Sequence, residues 1–600
     1  MIMFYIIYLL KMTDISSDKF LSVIVDSQLD KIGLNGHHLN SFNTFLRQGI
    51  KQIITQQFKI ESSIKNERSG TTEDNQIEHI EFTINFTDVR IKKPYFTNTH
   101  TKKNEDLKPS MARRMKLNYS GEMEVDVEVF TTAYLHKGGE IKRNAKIENI
   151  SLSSIPIMVG SNLCHLYNIP KTVKQIMQED PNDPGGAMII AGSEWSISGI
   201  ESRAFNMPHI FKNVGYKSER ARLEILSKPG DAFENSSSLI IHLNVDGNIY
   251  IFFESKDELK MDIPFYVIFR LMGMITDQEI CDNIVYGYDP DNVVSSHMFD
   301  IVKTALLASN KNFPEACRIY DPNELLKYFS RESVNHRSET NTSLNESSVD
   351  YLINNLHNLI DKFLLPHVGL TSSSRHKKLR YLGYLIHRLI LVEYEITPSS
   401  DRDSLSEKRI DAAGTSFAKA FKRTFNTAIV QQIKRKFIRQ FKNTPYSDID
   451  FKNVIKNSID AKALEKALNQ SITTGDKDIQ IKQRSVPNRV ASEQIKRKNQ
   501  LNYISILRTS RTASTTSSKQ AQRADEMRRM HPSYVGYYDP CQSADTGEVV
   551  GMVKQMTLAA TITQASSSEL LKSVLRQEPL IQTLEQVFPH DIYVYNLGKV

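Results

Sequence analysis

HIEFTINFTDVRI, residues 79–91, alternates apolar and polar side chains with the period of two that a half-buried strand requires. GEMEVDVEVF, residues 121–130, repeats the pattern. Outward from this pair the period changes. HLNSFNTFLRQGIKQIITQ (38–56), VDYLINNLHNLIDKFLLPH (349–367) and RYLGYLIHRLILVEY (380–394) place their apolar residues at helical spacing, and IPFYVIFRLMGMI (263–275) carries a helical apolar face. IPIMVGSN (155–162) reads as a short buried strand, and PNDPGGAMIIAGSEW (181–195) as a Pro- and Gly-rich turn leading into another. Within 239–253, Asp246, Gly247 and Asn248 separate two β-rich runs, a hairpin signal. A basic linker is expected at 99–120 and a surface loop at 332–348, and no internal repeat is visible. The expected class is α+β: several domains of mixed helices and antiparallel sheets.

The chain has 600 residues, 40% apolar and 24% charged, which excludes a disordered tail, a collagen-like fibre and a disulfide-stapled module. Cys164, Cys281, Cys317 and Cys541 form no Cys-x-x-Cys pair, so neither a disulfide framework nor a cysteine zinc site is encoded, and a reducing compartment fits. MIMFYIIYLLK at the start is about half a membrane span. Residues 1–19 are therefore expected to be an extension whose true start is Met12, on a soluble protein with no membrane partner.

The net charge is only +7, but it is not evenly spread. Between Lys408 and Lys442, ten basic residues face one acid, Asp411. The segment reads as a helix. Its stripe of Phe417, Phe421, Phe425, Ile429, Ile433, Phe437 and Phe441 recurs every four residues, which drifts about 40° per step on a 3.6-residue helix. Such a helix must break or meet different neighbours along its length. Residues 481–530 carry twelve basic residues against three acids, a local +9. Two nearly one-signed blocks are the electrostatic footprint of a surface that tracks phosphates, and the scarcity of aromatics in the second argues against single-strand stacking. No phosphate-binding Gly-x-x-x-x-Gly-Lys loop, His-Glu-x-x-His helix, two-metal Asp cluster or histidine ligand pattern is present.

The landmarks have an order. HLNSFNTFLRQGI, LKPSMARRMKLNYSGEMEVDV, IPIMVGSNLCHLYN, DPGGAMIIAGSEWSISGIE, IPFYVIFRLMGMI, FLLPHVG, RYLGYLIHRLILV, DRDSLSEKRIDAAG, LNYISILRTSR and MHPSYVGYYDPCQSADTGEVVGMVKQMTL follow one another from residue 38 to 558. In that order they resemble the second-largest (β-like) subunit of multisubunit DNA-directed RNA polymerases, of the RNA polymerase II type, in a divergent form of the kind carried by large DNA viruses.

The resemblance implies a protrusion (20–211 and 401–465), a lobe (212–400), a fork (466–560) and the start of an external domain (561–600). It also implies candidate nucleic-acid contacts at Lys408 and Arg409 in the protrusion, at Arg497, Arg508, Arg511, Arg528 and Arg529 in the fork, and at Lys554. Gly185, Gly186 and Glu194 of DPGG and GSE, with Gly536, Pro540 and Gly547, match structural motif positions. The implied function is a subunit lining the DNA cleft and the RNA–DNA hybrid during nucleotidyl transfer. Implied partners are the largest subunit, the C-terminal half of this subunit, template DNA and nascent RNA. No cofactor is expected in this chain: Mg2+ would be held by the largest subunit and Zn2+ by the missing C-terminal half. The expected location is intracellular, in a nucleus, a cytoplasmic viral factory or a virion.

Departures accompany the likeness. The family's Cys-Pro-x-Glu-Thr-Pro-Glu-Gly turn stands as DPCQSADTGE, with Gln542 at the first acidic position; Trp195, Ile200 and Thr509 replace the usual Lys, Gln and Arg. The final YVYNLGKV resembles an internal strand, so the expectation is a split or truncated subunit that ends before the double-psi barrel and cannot catalyse alone. The alternative is a non-catalytic nucleic-acid-binding or scaffold protein derived from such a subunit.

Overall fold

The computed structural model describes residues 17–65, 77–98, 102–135, 139–212, 219–229, 236–253, 262–286, 291–307, 315–328 without 323 and 326, 359–444, 446–473, 491–512, 528–544, 550–563, 573–574 and 577. Two compact units divide the chain: residues 1–202 with 408–564, and 203–407 with 565–600. The expected protrusion–lobe switches at 211/212 and 400/401 lie slightly inside the second unit. Main-chain hydrogen bonds account for this: Ser400 N–H donates to Ile210 O at 2.8 Å, and Ala204 N–H to Glu407 O at 2.9 Å. No described helix is long and apolar enough to cross a membrane.

The first unit is built on a four-stranded antiparallel sheet of Lys59–Lys65, Ile77–Ile91, Ser120–Leu135 and Glu140–Pro156, in chain order. Alternation dictates its two faces. Met123, Val125, Val127 and Val129 are fully buried, whereas Glu122, Glu124, Asp126 and Glu128 point the other way. Several helices pack on the apolar face, Ala461–Thr473 among them against Glu140–Pro156, and two of them bear on the site. One runs from Gly36 with π-helical turns at Phe45–Gly49 and Ile53–Gln57.

The other corrects the reading of 408–442 as one helix. Lys408–Asp411 is a strand, and the helix begins at Ala413. Its α-helical parts, Ala413–Phe425 and Gln431–Asn443, are joined by a π-helical turn at Asn426–Val430. A π turn is underwound, so it rotates the four-residue stripe back toward the core. All seven stripe residues are buried. Neighbours also change along the stripe: Phe417 meets Phe42 and Phe45, Phe421 meets Phe45, Phe425 meets Phe86, and Phe437 and Phe441 meet Phe82, with ring centroids 5.5–5.8 Å apart. Gly414 lets the two helices touch, because a Cβ there would lie 2.1 Å from Ser41 O.

The second unit pairs five strands, His209–Lys212, Glu219–Ser227, Ser237–Asn244, Ile249–Phe253 and Ile263–Pro264, in sequence order with the Asp246–Asn248 hairpin at one end. The Phe265–Leu271 helix is buried on every side, and the amphipathic Arg375–Glu393 helix packs into the same core. The segments 332–348 and 513–526 lie outside the described residues, as does the first part of 349–367.

Candidate nucleic-acid interface

Two polar clusters in the first unit hold three of the eight candidate cations, Lys408, Lys554 and Arg497, together with Glu194. The first forms on a small sheet ordered Lys408–Asp411, Gly199–Arg203, Thr509–Thr512, Val553–Gln555, in which Thr509–Thr512 runs parallel to 199–203. Glu201, 5% exposed, sits at its centre. Lys554 Nζ donates to both carboxylate oxygens at 2.8 and 3.0 Å, Thr512 Oγ1 donates at 2.9 Å, and Lys408 Nζ lies 3.6 Å away. Both amines also donate to the Tyr534 hydroxyl, at 2.9 Å from Lys408 and 3.2 Å from Lys554. Burial alone would raise the pKa of Glu201, but Lys554 and Lys408 together hold it below the usual carboxylate value.

The second cluster is centred on Glu194, which accepts from Arg113 Nε at 2.8 Å and from Arg497 Nε and Nη2 at 2.6 and 2.9 Å. Arg497 Nη2 also reaches Asp183 at 2.8 Å, its guanidinium lies 4.2 Å from the Tyr503 ring centroid, and Tyr503 donates to Asp183 at 3.0 Å. Burial works against charge on Asp183, yet Arg497 keeps its pKa lowered. The DPGG turn supplies the frame. Gly185 and Gly186 take φ of +75° and +97°, and a Cβ on Gly186 would overlap the Asn35 amide.

Arg508 has no carboxylate among its hydrogen-bond partners. Its guanidinium, 3% exposed, donates to Leu34, Thr557 and Ala560 carbonyls at 2.6–2.7 Å and ties the Gln500–Leu507 helix to the segment just before the 36–57 helix. Beside it, burial first and Arg508 among the charges hold His37 at about 2 and His38 at about 4, so both are neutral at pH 7. Ala413 N–H donates to His38 Nδ1 at 3.0 Å. Arg511 is buried against Glu493 at 3.0 Å. Arg409 and Arg529 are exposed, and half-buried Arg528 donates to Val550 O. Gly536 turns the chain at φ +83°, Pro540 opens the Pro540–Ala544 helix, and Gly547 lies outside the described residues.

Thus the structure joins Lys408 to Lys554, seats Arg497 on Glu194, and places Arg409 and Arg529 outside both clusters. Sequence reasoning missed Glu201, Asp183, Tyr534 and Glu493 as the counter-groups. For Glu201 a signal existed: a lone acid in the small and apolar run SISGIE, where an unpaired charge would be too costly to bury. Among the described residues, no three His, Cys, Asp or Glu side chains converge to hold a metal.

Residues 33–465, more than two thirds of the chain, match the family described as RNA polymerase beta subunit. The chain belongs to that family. Residues 493–562, which hold Arg497, Arg508 and Lys554, match RNA polymerase Rpb2, domain 3. Among curated relatives of the RNA polymerase beta subunit family, the DNA-directed RNA polymerase II subunit RPB2 of Encephalitozoon cuniculi is 26% identical, over 94% of this chain and 45% of its own length. The DNA-directed RNA polymerase subunit Rpo2N of Methanothermobacter thermautotrophicus is 25% identical, over 92% of this chain and 96% of its own length. The Arabidopsis thaliana RNA polymerase II subunit 2 is 24% identical over 94% of this chain and 45% of its own. The chain therefore spans about half the length of these eukaryotic relatives and nearly all of the archaeal one. These three are cellular proteins and lend the expected viral source no support.

Proposed function

We propose that this chain is the N-terminal portion of the second-largest subunit of a DNA-directed RNA polymerase and lines the path of DNA and the RNA–DNA hybrid. The observation that carries the reading is the family match across both units, joined to 96% coverage of an archaeal subunit named Rpo2N. In this reading nucleotidyl transfer runs on Mg2+ held by the largest subunit. This chain supplies a positively charged, rigid wall. The Glu201 and Glu194 clusters fix the fork strand and helix against the protrusion, so an exposed cation such as Arg529 meets phosphates without first paying an ordering cost. Its partners are the remaining half of the subunit, the largest subunit, template and transcript. A viral source, and a location in a nucleus, a cytoplasmic viral factory or a virion, stay part of this proposal and rest on the divergent form of the resemblance.

Affinity purification of the tagged chain from its native cell tests it. Recovery of a chain bearing the polymerase Asp-x-Asp-Gly-Asp loop, with template-dependent RNA synthesis in the eluate, is expected. Recovery of the chain alone, bound to nucleic acid but without that partner, would favour the derived scaffold instead.

A further inference from the structure

The helical layer of the first unit has an outer side that none of the clusters above uses. On the Gln431–Asn443 helix, Arg435, Arg439 and Lys442 stand at i, i+4 and i+7 and are exposed, while Ile433, Phe437 and Phe441 are buried beneath them. Lys436 Nζ donates to Asn457 O and so fastens this helix to Phe451–Ser458, where exposed Lys452 and Lys456 stand at i and i+4. Residues 412–447 contain no acid. Asp448 and Asp450 are the adjoining carboxylates; Asp448 has a partner of its own, and Asp450 is engaged as the N-cap of the second helix, accepting from Lys452 N–H at 3.0 Å and Asn453 Nδ2 at 2.7 Å. Arg435, Arg439, Lys452 and Lys456 make no ion pair with a described carboxylate.

The far side of the same unit has the opposite sign. Glu122, Glu124, Asp126 and Glu128 line the outer face of the sheet, and Lys92 and Arg90 neutralise only part of that row. A polyanion is therefore drawn to one side and turned away from the other. The aromatic residues of the two basic helices, Phe437, Phe441 and Phe451, are buried, so no platform exists for stacking unpaired bases. What remains is a row of cations along a helix about 20 Å long, a length over which a duplex presents roughly a dozen phosphate charges.

We propose that the joint surface of the 431–443 and 451–458 helices binds the phosphate backbone of double-stranded DNA without reading base sequence. Its choice of DNA among polyanions rests on the polymerase reading; the surface itself does not.

The test compares the whole chain with R435E/R439E and with K452E/K456E, following anisotropy of a short labelled random-sequence duplex across a salt series. Each pair reversal is expected to reduce the slope of log affinity against log salt by about two, at about 0.9 per phosphate contact, and to leave the thermal midpoint unchanged. The second pair sits on a different helix, so a folding defect in one variant leaves the other to decide. An unchanged slope in both overturns the proposal, as does a wild-type chain that does not bind duplex at low salt. Loss of binding to poly-glutamate or another acidic polypeptide with an intact duplex slope would make the surface a protein interface and overturn it equally. A chain that binds duplex through these residues yet recovers no polymerase partner breaks only the reading of the preceding subsection. One that assembles with unchanged slopes breaks only this one.

Discussion

Arg435 and Arg497 stand in cation-rich segments that differ little in composition, yet the first is exposed on a helix and the second is clamped by Glu194 and Asp183. The contrast extends to their neighbours. Within 493–562, Arg508, Arg511 and Lys554 are buried and direct their donors to carbonyls or carboxylates of other elements. On the 431–443 helix the apolar stripe anchors the element, and the cations are left for solvent. Basic composition alone is therefore ambiguous. A cation that closes a tertiary contact shapes the fold; one that sits opposite a buried stripe is available to a partner.

The largest expected effect tests the internal role. Glu201→Gln leaves Lys554, 1% exposed, with no full countercharge, and should cost about 3–5 kcal/mol of unfolding free energy by denaturant titration. A cost near zero would mean that the cluster does not organise the fork. Next comes a pH effect on the seam where Arg508 meets the 36–57 helix. His38 titrates at about 4 in the folded chain against 6.5 unfolded. As pH falls through that window, the unfolded chain takes up a proton that the folded chain refuses, so stability declines by about 3 kcal/mol, with His37 adding to it. Denaturation at stepped pH, with a shallower profile expected for His38→Asn, checks this; a wild-type profile level from pH 6.5 to 4 would break it. The smallest effect belongs to the exposed helix. Arg435→Ala with Arg439→Ala should shift stability by no more than about 0.5 kcal/mol, and a larger loss would mean that these cations also close the fold.

Much of this was legible along the chain. Alternation predicted strands at 79–91 and 121–130, which lie within the observed Ile77–Ile91 and Ser120–Leu135, because burial of one sheet face imposes a period of two. The four-residue stripe also declared its own conflict with 3.6-residue geometry, although not the resolution, a π turn at Asn426–Val430. The strand at Lys408–Asp411 was not legible, because its pairing partner lies some two hundred residues earlier at Gly199–Arg203 and four residues set no period of their own. The candidate cations could be named by type but not sorted by role. Nothing local to KRKNQ or MVKQM reveals that Glu194 and Glu201 wait across the fold.

Sequence by itself therefore determined the class, the order of the elements and the family, since hydrophobic period, turn residues and ordered motifs are local properties. Tertiary structure alone decided which charges are free. Whether a lysine or arginine can meet a phosphate depends on whether a carboxylate or carbonyl has already reached it, and at Arg497, Arg508 and Lys554 those groups come from distant parts of the chain or from other elements.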